Sequence, residues 1–168
     1  MKATPVEALT PEMPISNAAR QIVAVRAGEL FGFVPAALDE GNATALHDMR
    51  IAAKRLRYVL ELVGFTLGPV AEEAQARARE LQTLIGEIHD HDVLIGRVES
   101  LPAGSGGRGV RRLALRLHSR RDSLFNAFTG LWTTIEESGL RERIVAATSF
   151  SLNGNGARPI IDEVDEQH

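Results

Sequence analysis

Apolar residues recur along this chain with the period of a helix, in four long stretches parted by short polar or Gly/Pro-rich breaks. The clearest stretch covers residues 46–63. On a helix that advances about 100° per residue, Leu46, Met49, Ala53, Leu56, Leu60 and Val63 share one arc. An earlier stretch, from a cap at Ser16 or Asn17 to about residue 38, gathers Ile15, Ala18, Ile22, Val25 and Phe33, and Pro35 should disturb its last turn. A third, about 70–98, aligns Ala74, Ala78, Leu81, Leu84, Ile85, Ile88 and Ile95. A fourth, about 110–137, aligns Val110, Leu113, Leu117, Leu124, Phe128, Leu131 and Ile135, and a short fifth helix fits 140–147.

The breaks carry their own signals. Gly41 and Asn42 mark a turn before Thr44, which can cap the second helix, and Gly64, Gly68 and Pro69 stop that helix. Residues 101–109 read as a flexible Pro/Gly/Ser connector. The pattern predicts an all-α protein, an antiparallel four-helix bundle with a short extra C-terminal helix. Residues 15–148 form the bundle, residues 1–14, with three prolines, a flexible lead-in, and residues 149–168 a loosely ordered acidic tail.

Composition agrees with a helical reading, since aromatic residues make up 5% and Ala, Leu, Arg and Glu dominate the middle of the chain. A net charge of -3 argues against a generic nucleic-acid binder. The charge is unevenly placed, with basic clusters at 50–57 and 108–121 and acids at 72–92 and in the tail, so a basic side and an acidic side are expected. The absence of cysteine excludes disulfide and thiolate chemistry. No apolar run is long enough to span a bilayer and no leader is evident, so no membrane partner and a cytoplasmic location are expected.

The second helix carries the most informative polar pattern. His47, Arg50, Lys54 and Arg57 follow i, i+3, i+7, i+10 and share one edge over about 15 Å of helix. A solvated face usually alternates charge at i, i+4, whereas Arg50–Lys54 and Lys54–Arg57 are like-charged, a repulsion of a few tenths of a kcal/mol per pair that an anion removes. Arg108, Arg112, Arg116 and Arg120 climb the fourth helix at i, i+4 spacing. Whether both rows face one groove is open on the sequence alone. Single-stranded nucleic acid would want aromatics among these cations, and Tyr58, the only ring in the second helix, is expected to pack against a neighbouring helix.

Charges also fall inside apolar arcs: Arg26 and Glu29 in the first helix, Arg77 and Asp92 in the third, Arg121 in the fourth. Each must pair, line a wet channel or reach water, and Asp92 is the acid placed to meet Arg50, Arg57 or Arg121. The dipeptides His47–Asp48 and His89–Asp90 invite a two-metal reading, but neighbours on a helix diverge by about 100° and His47 sits among cations. His89 and His91 fit hydrogen bonding better, and His118 a surface position. With no nucleophile–base pair and no glycine-rich phosphate loop, no enzyme and no cofactor are expected.

The run LHDMRIAAKRLRYVLEL, followed by LQTLIGEIHDHDVL and more weakly by RRDSLFNAFTGLW, resembles the conserved-histidine α-helical, or CHAD, family over roughly residues 18–135. The resemblance implies a helical bundle that binds inorganic polyphosphate through a basic surface or pore. It implies phosphate contacts for His47, Arg50, Lys54, Arg55 and Arg57, to which the second row adds Arg112, Arg116, Arg120 and Arg121. His89, Asp90 and Asp92, with Arg26, would support these residues structurally. Family members associate with polyphosphate granules, so granules are an expected location. The family's usual domain has two related halves and this chain shows one copy of the motif, so either one bundle binds alone or a homodimer rebuilds the double unit. A helical scaffold for a protein partner and a metal-dependent phosphohydrolase are the competing readings.

Overall fold

The computed structural model describes residues 2–7, 9–102 and 107–149. The tail expected over 149–168 lies outside the described residues except for Ser149, and the connector is described only at its ends. The chain is all-helical, with α1 (Ile15–Gly32), α2 (Val34–Ala37), α3 (Ala43–Val63), α4 (Pro69–Glu99), α5 (Arg108–Glu137) and α6 (Leu140–Ser149), and no strand among the described residues.

The first predicted helix is two. α1 closes at Phe33, whose N–H reaches the Leu30 carbonyl, and Pro35, with no N–H to donate, is accommodated in the first turn of α2. The caps also differ from expectation. α1 starts after Pro14 without a side-chain cap, so neither Ser16 nor Asn17 serves. Asn42, not Thr44, caps α3, its Oδ1 accepting from the Ala45 N–H at 3.0 Å. After a 3₁₀ turn at Gly64–Thr66, Gly68 takes φ 72°, a left-handed value that a side chain would strain, and Pro69 opens α4. Gly139 does the same at φ 64° between α5 and α6. Ahead of α1, the Thr4 N–H donates to the Glu29 carboxylate and ties the lead-in to that helix.

α3 and α4 pack most closely, α1 lies on the other side of α3, and α5 on the other side of α4. α6 packs against α1, α4 and α5, while α5 makes no backbone approach to α1 or α3 among the described residues. On α3, α4 and α5 the core is built from the predicted arcs, with Met49 and Leu56 of α3, Leu81, Ile85 and Ile88 of α4, and Phe128 and Ile135 of α5 all buried. α1 instead buries Ala19, Val23, Ala27 and Leu30. It leaves Ile15 67% exposed and Ala18, Ile22, Val25 and Phe33 only half-buried, so its core face is rotated from the arc the sequence predicts. Trp132 meets Phe31 edge-on with ring centroids 5.7 Å apart. α5 is covered along only part of its length. No described side chain before Leu124 on this helix is buried, although Val110, Leu113 and Leu117 continue the same stripe.

The charges within the apolar arcs resolve by pairing. Arg26 holds Glu29 at 2.7 Å and Arg77 holds Glu80 at 2.8 Å, both at i, i+3. Arg121 spans three elements: its Nε donates to Asp92 of α4 at 3.0 Å, and two other nitrogens donate to the carboxylate (2.6 Å) and backbone carbonyl (2.8 Å) of Glu40. No helix of the described residues is long and apolar enough to cross a membrane.

Candidate functional site

The basic edge of α3 lies along its seam with α4. From the N-terminal end, the His47 ring contacts the His89 ring (centroids 5.6 Å apart), the Arg50 stem crosses α4 at Gly86, and the Arg57 Nε–H donates to Gln82 Oε1 at 3.0 Å. The partners descend in number as α3 ascends, so the two helices run antiparallel. The two sequence motifs, around His47 and around His89, therefore meet as neighbours.

The cations differ in what occupies them. Arg57 is held by Gln82 and by Glu61, and its guanidinium stacks 4.2 Å from the centre of the Tyr58 ring. Lys54 is exposed, its ammonium 5.9 Å from the same ring. Tyr58 is 46% exposed and stacked by cations, rather than packed against another helix as its sequence context predicts. Arg50 has a buried Nε that makes no hydrogen bond. An unmatched guanidinium donor beside an exposed ammonium leaves this part of the edge with positive charge and hydrogen-bonding capacity unspent.

Arg55 turns the other way. Its Nη1 lies 4.0 Å from Glu29 on α1, and Glu29 also takes Arg26 and Thr4. Burial pushes the Glu29 carboxyl up, but the Thr4 N–H and the Arg26 guanidinium outweigh it and hold the group below the usual carboxylate range. The matched motif thus divides, with His47, Arg50 and Arg57 against α4, Lys54 exposed over the Tyr58 ring, and Arg55 toward α1.

The second row flanks α4 from its far side. Arg120 approaches Glu87 at 3.7 Å, while the preceding residue, Gly86, touches Arg50, so consecutive positions of α4 separate the two rows. Arg112 and Arg116 are exposed and line a shallow depression on α5 with Leu115, Ser119, Arg120 and Ser123. Glu87 and Asp90 are exposed on the intervening ridge of α4. Arg121 is only 11% exposed and committed to Asp92 and Glu40, which removes it from the row. His91 Nδ1 donates to the Glu87 carbonyl at 2.8 Å, and His118, an exposed residue, meets Glu99 at 3.0 Å.

Sequence reasoning missed Gln82 and Glu40. Gln82 lies three and a half turns from the nearest end of its helix with nothing local to mark it, and Glu40 captures a residue 81 positions away. Among the described residues no three His, Cys, Asp or Glu side chains converge as a metal-holding group would.

Fold and surface together define an all-helical domain with a cationic edge set along a helix–helix seam. The CHAD domain model matches residues 2–99, and the chain belongs to that family. The match takes in both motifs and ends with α4, so the row on α5 lies beyond it, and it stops short of residue 135, the limit of the resemblance. Comparison with curated proteins and with solved structures found no match.

Proposed function

We propose that this protein binds inorganic polyphosphate without chemically altering it, and that the chain of phosphates lies along the edge of α3 at the α4 seam. The observation that carries the reading is the state of Arg50 and Lys54: adjacent, like-charged, one with an unmatched buried donor and the other exposed. Membership of the CHAD family supports it. In this reading Arg50 and Lys54 make the primary phosphate contacts. His47 and Arg57 extend the edge at either end, and His89 and Gln82 set their rings and planes. Arg112, Arg116 and Arg120 form a second, separate strip across α4, because Glu87 and Asp90 between the rows oppose a continuous anionic ligand. Arg55, Arg121, Asp92 and Arg26 serve the fold. Residues 15–148 are the binding domain, taken as an antiparallel four-helix bundle closed by α6, and polyphosphate granules are where it would act.

A chain of phosphates supplies repeating charge without bases, which suits guanidinium and ammonium groups in line. The test is Arg50→Ala with Lys54→Ala, assayed against long-chain polyphosphate. Affinity should fall at least tenfold while helicity is unchanged, and retained affinity would remove the α3 edge from the site. Phosphate release by the purified protein incubated with divalent metal would instead favour the hydrolase reading.

A further inference from the structure

The packing sets the two cationic rows on opposite flanks of α4. On one flank His47 meets His89 and Arg57 meets Gln82, so the α3 edge runs beside residues 82–89 of α4. On the other, Arg121 meets Asp92 and His118 meets Glu99, so α5 is antiparallel to α4 and its arginines before Arg121 lie alongside the last turns of that helix. α3 and α5 therefore run parallel with α4 between them, and they make no backbone approach to each other among the described residues. Packed helix axes lie roughly 8–10 Å apart, which puts the rows on axes up to about 20 Å apart, staggered along α4. The α5 row is open to solvent. Arg108, Arg111, Arg112 and Arg116 are exposed and make no ion pair with a described acid, while Arg120 lies 3.7 Å from Glu87. Arg112 and Arg116 centre about 120° around the helix from the buried Leu124, Phe128 and Ile135.

We propose that the two rows hold separate stretches of polyphosphate, so that this protein bridges one polyphosphate chain to another and gathers the chains into a condensed network. The inference rests on polyphosphate being the ligand of the α3 edge. A single chain that left that edge past His47 would reach α5 only by crossing the exposed Glu87 and Asp90 on the ridge of α4, which repel it. Each protein therefore has two arms, and each long chain offers many places for them, which is the condition for cross-linking. The α5 row is the weaker arm, because none of its arginines has a buried unmatched donor like the Arg50 Nε. Bulk neutralisation does not produce the network. The net charge of this chain is -3, so it attracts a polyanion only where its cations are gathered into rows.

The test is light scattering of the full chain mixed with long-chain polyphosphate at low salt over a range of ratios, beside an equilibrium titration of the same pair. The wild type should bind and scatter. Its scattering should pass through a maximum and fall again when polyphosphate is in excess, because surplus chains then occupy one arm each and leave no links. Tripolyphosphate, too short to reach a second protein, should bind without scattering. Arg112→Gln with Arg116→Gln should abolish scattering while affinity stays within about twofold of wild type, since the α3 edge is a separate site. Far-UV circular dichroism should be unchanged, because both arginines are exposed. A wild type that binds yet never scatters, or an α5 variant that scatters like wild type, would overturn the bridging and leave the α3 site standing. An α5 variant that loses as much affinity as Arg50→Ala with Lys54→Ala would show one continuous site in place of two arms. A wild type that does not bind at all would refute the polyphosphate reading itself and the bridging with it.

Discussion

Replacing Arg121 by Met isolates the contact that fixes the end of the packed core. The methionine keeps much of the stem's bulk beside Phe125, over whose ring the guanidinium lies at 5.5 Å, and removes three charge-assisted hydrogen bonds. A hydrogen bond to a charged group contributes about 1.5–3 kcal/mol, and breaking a fully buried pair costs about 3–5 kcal/mol. Here the acids left behind recover hydration, since Glu40 is 52% exposed and Asp92 29%. The expected loss is therefore about 2–3 kcal/mol, which for a domain of this size lowers Tm by roughly 4–12 °C. Thermal unfolding followed by circular dichroism reads it. Asp92→Asn alone should cost less, because Arg121 keeps Glu40, and the double variant should cost less than the two singles added. Strict additivity, or a Tm change of under about 2 °C for Arg121→Met, would show that the three-element clamp does not hold these helices together. Polyphosphate affinity should be nearly unchanged in Arg121→Met, in contrast with Arg50→Ala.

Three further outcomes follow from the packing and the charges. Asn42→Ala removes the side-chain cap of α3 and should destabilise by about 1 kcal/mol in urea unfolding, whereas Thr44→Ala should be close to neutral. Phe128→Ala empties a fully buried site and should cost about 3–5 kcal/mol, read as a lower urea midpoint with unchanged slope. Glu73 is held below the usual carboxylate range first by its two hydrogen bonds from Arg143, each 2.7 Å, and Glu29 by Thr4 and Arg26 against its burial. A depressed folded-state pKa gives stability that is present above the unfolded carboxylate value and is lost as pH falls through the folded one. Stability should therefore drop in the acid range, and Glu73→Gln should flatten that part of the profile.

The helices were legible because each apolar arc is long and bounded by residues with a mechanical meaning, although on α1, where alanines fill much of the buried face, that face (Ala19, Val23, Ala27, Leu30) is rotated from the arc read off the sequence. Gly64, Gly68 and Pro69 stop α3 where they should, and most of the predicted arcs of α3 and α4 are buried, with Val63 and Leu84 left half-buried and Ala45, Ala52 and Ala71 joining the core. Caps were less legible, since Asn42 and Thr44 are both competent and only the backbone path decides which one precedes the first turn. The α3 edge could be read because i, i+3, i+7, i+10 stays on one side of a helix. The same wheel puts Arg55 on the opposite flank, and the structure turns it to Glu29. On α5 an i, i+4 row drifts about 40° at each step, so Arg120 reaches α4 while Arg112 faces outward. Periodicity also reports which face a helix would bury and not whether anything arrives to cover it. Val110, Leu113 and Leu117 carry the pattern of a core and lie outside it. Gln82 and Glu40 were beyond sequence reading because their roles exist only once α4 and the α2–α3 turn are in place.

The most direct test of the central claim is titration of the full chain with long-chain polyphosphate at two salt concentrations, with duplex DNA of matched charge as competitor. The account predicts tight binding that weakens steeply with salt, is not competed away by the DNA, and is lost in the Arg50→Ala, Lys54→Ala protein. No binding, or equal binding of polyphosphate and DNA, would contradict it.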